Sequence, residues 1–98
     1  MAFAVVPQMA DILFATAVSL RVHPTERSLS ETARTLYRAA RRCVREAHWD
    51  PAEQERLRNS AAAILGCRRL VVAALEQLRE QAARAGAPAG RRGDASSA

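Results

Sequence analysis

Two helix-period apolar stretches, about 29–48 and 51–85, meet at a short turn around His48-Trp49-Asp50. A connection that short leaves antiparallel packing as the way for two long helices to bury their apolar faces. Strands are disfavoured by composition. Ala, Leu, Arg, Glu and Gln dominate, and the 98 residues include only four Gly and four Pro. These are helix-forming residues, so the fold class is all-α, with neither an all-β fold nor a parallel α/β sheet.

In the first stretch, apolar residues recur at Leu29, Ala33, Leu36, Tyr37, Ala40, Val44 and Ala47, in steps of three and four that define one helical face. Ser28 and Glu31 have capping-box spacing, which predicts the helix start there. The second stretch opens on Asp50-Pro51-Ala52-Glu53, with Asp50 as N-cap and Pro51 at the first helical position. Leu57, Ala61, Ile64, Leu65, Val71, Leu75, Leu78 and Ala82 form its main stripe. Ala63, Cys67, Leu70 and Ala74 form a second stripe beside it. Gly86 reads as its stop. Gly66, in mid-helix, either permits a close helix approach or is incidental.

An additional N-terminal helix is expected from about Pro7 to Leu20, apolar except for a stripe of Gln8, Asp11 and Ser19. Pro24 makes Val22-His23-Pro24-Thr25 a linker. Met1–Leu20 lacks a basic leader and is interrupted by Pro7, Gln8 and Asp11, so it reads neither as a secretory signal nor as a membrane span. Residues 86–98 have no large apolar side chain and read as a disordered tail. One small helical domain, 1–85, is the result.

All fifteen basic residues are Arg, and the net charge is +5. Seven of them lie between residues 21 and 48, where three Glu leave a net of +4. The set could meet phosphate, but Tyr37 is the only aromatic among them and is assigned to the apolar face. A solvated helix face is the simpler reading. Cys43 and Cys67 lie at different heights of the hairpin, too far apart for a bridge, and read as reduced thiols of a cytoplasmic protein.

Enzyme chemistry has no foothold. His23, Cys43, His48 and Cys67 are the candidate metal ligands, and no standard spacing joins them. No Gly-rich phosphate loop, nucleophile–base pair or convergent carboxylate pair is present, so no catalytic, metal or cofactor residue is assigned. What stands out is the length of the second hairpin helix, which exceeds what the first can cover. Its C-terminal half, through Leu70, Val71, Val72, Leu75 and Leu78, is the expected binding surface for a helical partner protein. Trp49 at the turn is either a plug or an exposed anchor. A small DNA-binding regulator and a self-associating bundle are the alternatives.

Residues Ser28 to Glu80 resemble the YscE-like family of type III secretion co-chaperones. The resemblance lies in a hairpin of similar length, the turn into Asp50-Pro51-Ala52-Glu53-Gln54-Glu55, the stretch Ser60-Ala61-Ala62-Ala63-Ile64-Leu65, and the run Leu70-Val71-Val72-Ala73-Ala74-Leu75. It implies a hairpin docked on a larger helical-repeat chaperone, with a needle subunit held unpolymerised in the same cytoplasmic complex.

Overall fold

The computed structural model describes residues 8–90. Among them the secondary structure is helical, with no strand. Helix α1 spans Met9–Ala17 and continues into a single wide turn over Val18–Val22, closed by the His23 amide donating to the Val18 carbonyl at 2.9 Å. Helix α2 spans Glu26–Trp49. A 3₁₀ turn over Pro51–Glu53 leads into α3, Gln54–Gly90. Pro7, expected in the first turn of α1, lies outside the described residues, as does the part of the expected 86–98 tail from 91 onward.

The hairpin is held by a heptad seam. On α2, Leu29, Leu36 and Cys43 recur every seven residues, with Ala33, Ala40 and Ala47 between them, and all six are buried. On α3 the matching rows are Leu57, Ile64, Val71 and Leu78, and Ala61, Arg68 and Leu75. A seven-residue repeat keeps one narrow stripe facing a single partner helix. Each helix alternates a row of larger side chains with a row that includes Ala. Leu29, Leu36, Ile64 and Val71 are fully buried, each contributing about 1.5–3 kcal/mol through apolar area.

Two contacts across the seam fix its register. Arg79 Nε donates to Glu26 Oε2 at 3.0 Å, and Arg68 Nε donates to the Ala33 carbonyl at 3.3 Å. The pairing carries α2 as far along α3 as residue 79. Past Leu78, every residue from 79 to 86 is exposed.

Two helix limits differ from their sequence signals. The N-cap of α2 is Thr25, whose hydroxyl accepts from the Ser28 amide at 3.2 Å, so the helix starts three residues before the Ser28–Glu31 capping box. Helix α3 does not stop at Gly86 but runs to Gly90. Asp50 also makes no side-chain cap bond; its carbonyl accepts from the Glu53 amide at 3.1 Å. Pro51 enforces a tight first turn that leaves the backbone oxygen, not the carboxylate, as acceptor.

Helix α1 packs on the hairpin through Ile12, with Met9 and Leu20 beside it. Ser19, expected on the polar stripe, is 1% exposed. It follows Ile12 by seven residues and therefore shares its face. Its hydroxyl donates to Thr32 Oγ1 at 2.9 Å, with Ser28 Oγ at 3.2 Å and the Ser28 carbonyl at 3.3 Å. Thr16, also buried, donates to the Ile12 carbonyl at 2.8 Å. Buried hydroxyls that find partners in this way avoid the 1–3 kcal/mol cost of roughly each unsatisfied group. The Ser19 cluster pins α1 to the Ser28–Thr32 edge of α2.

Candidate functional site

The six residues expected to bind a partner do not form one surface. Val71 is 0% and Leu75 7% exposed, both in the hairpin core. Both belong to one buried cluster with Leu29 of α2 and Ile12 of α1, so α2 and α1 together cover this stretch of α3. Val72 and Leu78 are half-buried against the same core. Leu70 at 60% and Trp49 at 74% exposure do face solvent, but on separate parts of the molecule. Trp49 does not plug the turn; its ring meets His48 edge-on, 5.2 Å between centroids and 86° between planes.

The surface that does assemble lies on the other side of α2. Ser28 and Tyr37 are nine residues apart, about 180° around the helix at 100° per residue. The edge opposite the one that holds α1 therefore carries Tyr37 and Val44. They were expected in the core, yet they are 45% and 54% exposed. The seam passes between Leu36 and Ala40 and leaves this pair to one side. Together with Ala40 of α2 and Leu65 of α3 they line an open groove of about 250 Å³, with Arg41 and Arg45 at its rim.

Arginines extend that rim. Arg34, Arg38 and Arg42 join Arg41, Arg45 and Tyr37 around an adjoining depression. From α3, Arg68 occupies a seam position, half-buried. Its guanidinium carbon stands 5.3 Å from the Tyr37 ring centroid, and that of Arg41 stands 5.9 Å away. Cation–π contacts of this kind contribute roughly 0.5–2 kcal/mol. They hold the phenol ring as a platform for two positive charges.

Four of the described acids pair with other arginines. Among the described residues, the ion pairs are Arg27–Glu31, Arg56–Glu53, Arg79–Glu26 and Arg84–Glu80. None involves Arg34, Arg38, Arg41, Arg42, Arg45 or Arg68. The groove thus combines an apolar floor with a rim of charge that no carboxylate among the described residues pairs with.

Both cysteines are free thiols, Cys43 buried and Cys67 half-buried. Burial pushes the Cys43 thiol up, partly opposed by the Arg56 charge. Among the described residues, no group of three or more His, Cys, Asp or Glu side chains could hold a metal ion. No described helix is long and apolar enough to cross a membrane.

Comparison with known proteins found no matching family model, no matching curated protein and no matching solved structure. The functional reading rests on the groove and its charges.

Sequence reasoning missed this site by merging two stripes of α2 into one. The signal is present in the spacing. Leu29, Leu36 and Cys43 share one heptad position, and Tyr37 and Val44 share another, one residue further on.

Proposed function

We propose that this chain is a non-enzymatic interaction module that holds a helix of another protein in the open groove between α2 and α3. The observation carrying the proposal is the exposure of Tyr37 and Val44 beside Leu65, on a hairpin whose other edge is already occupied by α1. An apolar trough between two helices receives a third by the same packing that joins the first two.

The resemblance of residues 28–80 to the YscE-like co-chaperones makes the reading more specific. On that reading the partner is a larger helical-repeat chaperone, the complex retains a needle subunit in unpolymerised form, and the compartment is the cytoplasm. The two free thiols are compatible with a reducing compartment. Co-expression of the chain with such a chaperone and a needle subunit tests it by size-exclusion chromatography with light scattering. The expected result is a stoichiometric complex in which the needle subunit stays soluble. A chain that elutes alone, with the needle subunit polymerising as fast in its presence as without it, contradicts the co-chaperone role.

The unpaired arginines of α2 favour a second reading, nucleic-acid binding. Phosphate neutralisation accounts for the Arg rim. It gives no role to Val44 and Leu65, and the Tyr37 ring is already engaged by two guanidinium groups. The protein-partner reading uses the floor and the rim together.

A further inference from the structure

Resting on the interaction-module reading, we infer that the occupant of the Tyr37–Val44–Leu65 groove is an amphipathic helix whose apolar stripe is flanked by carboxylates. The apolar half of this statement comes from the floor. Tyr37, Ala40 and Val44 lie along one side of α2, in steps of three and four, and Leu65 faces them from α3. A trough of that pattern accepts apolar side chains at i, i+3 or i+4, and i+7 of an incoming helix.

The acidic half comes from charge. Arg41 and Arg45 stand at the rim one helical turn apart, and Arg34, Arg38 and Arg42 continue the positive surface outward. No carboxylate among the described residues pairs with any of them. Arg68 adds the more telling feature. It takes a seam position where the heptad calls for an apolar residue, the residue is half-buried, and its guanidinium meets a backbone carbonyl and an aromatic ring but no acid among the described residues. A partly desolvated cation is stabilised most by an anion brought to it. A basic or neutral helix leaves Arg68 uncompensated. A partner with Asp or Glu at the edges of its apolar stripe neutralises Arg68, Arg41 and Arg45 while burying Val44 and Leu65.

Polyphosphate backbones satisfy the charges but gain nothing from the floor, so their binding weakens steeply with salt. An acidic amphipathic helix retains its apolar contacts as salt rises.

The test titrates the full-length, isotope-labelled protein with two synthetic amphipathic peptides of about five turns. They share one Leu stripe, flanked by Glu in one and by Lys in the other. A single-stranded oligonucleotide is the third probe. The Glu peptide is expected to bind with saturation, shift the resonances of Tyr37, Val44 and Leu65, and exceed the Lys peptide by at least tenfold in affinity. Arg41→Glu combined with Arg45→Glu is expected to remove that preference while helix content stays unchanged, thermal stability falling only slightly through loss of the Arg41 contact with the Tyr37 ring. Equal binding of both peptides in the groove overturns the acidic assignment and leaves the interaction-module reading standing. Binding of the oligonucleotide alone, lost at high salt, overturns both, as does the absence of binding by either peptide.

Discussion

Arg68 of α3 reaches across the helical seam to stand 5.3 Å from the ring centroid of Tyr37 on α2. Its Nε also donates to the Ala33 carbonyl, 35 residues away in sequence. The contact ties an aromatic ring at the groove to a cation rooted in the core, so the floor of the groove and its charge are positioned by the same residues that set hairpin register. Arg68 takes a seam position of α3, and its charged end lies over the Tyr37 ring.

Leu75 is a core residue of the hairpin and not a docking residue. Leu75→Asp is expected to destabilise the isolated chain by several kcal/mol, on the order of 3–5, because it removes buried apolar area and buries an unpaired charge. Leu70→Asp, on an exposed side chain, is expected to change stability by less than about 0.5 kcal/mol. Thermal melts followed by circular dichroism compare the two directly; equal effects mean that the register is wrong.

The helix starts make a paired prediction. Thr25→Ala removes the hydroxyl that accepts from the Ser28 amide and is expected to cost roughly 1 kcal/mol. Asp50→Ala leaves the bond between the Asp50 carbonyl and the Glu53 amide intact, and its cost is expected to stay below about 0.5 kcal/mol. Denaturant melts that reverse this order place the caps at Asp50 and Ser28 instead.

Much of the fold was legible in the residues. Apolar periodicity located all three helices, and the Asp50-Pro51 step located the turn, because those signals are local and repeat over several turns. What periodicity did not resolve was the difference between a seam and the residues next to it. Tyr37 and Val44 lie about 80–100° from the Leu29–Leu36–Cys43 row, close enough to read as one face until a single partner helix selects the narrower stripe. The cover over Leu75 depended on where α1 comes to rest, since Leu75 shares one buried cluster with Ile12 of α1 and Leu29 of α2, and that is decided by tertiary packing and not by local periodicity. Ser19 showed its burial only through its seven-residue step from Ile12. The groove required both hairpin helices in place, since Leu65 belongs to the other one.

Gly66 has no structural task that Ala cannot perform. A Cβ at this position meets only the end of the Arg69 side chain, at 3.9 Å. Gly66→Ala is therefore expected to stabilise the protein by about 1 kcal/mol, the mid-helix difference between the two residues. A loss of stability in denaturant melts means that another helix approaches here more closely.

Cys43 gives the protein a pH dependence on the alkaline side. Burial raises its thiol above the ordinary value of 9.0. Above that value the unfolded chain has released a proton that the folded chain retains. The folded state then binds more protons, and stability falls as pH rises until the folded thiol itself ionises. Stability measured upward from pH 9 is expected to fall more steeply in the wild type than in Cys43→Ala. Parallel curves contradict the assignment. Thiol labelling at neutral pH should modify Cys67 first and Cys43 only on unfolding.

The groove is tested most directly by comparing two exposed apolar residues on different sides of the hairpin. Val44 lies in the groove, and Leu70 lies outside it. The measurement is the affinity of Val44→Asp and Leu70→Asp for the Glu-flanked amphipathic peptide, by isothermal titration calorimetry, with helix content confirmed for each. A partner seated on Val44 predicts at least a tenfold loss for Val44→Asp, which is about 1.4 kcal/mol, and a change of less than about twofold for Leu70→Asp, whose side chain makes no groove contact. Undiminished binding by Val44→Asp, with the loss appearing in Leu70→Asp, places the partner on the other face and contradicts the assignment of the groove.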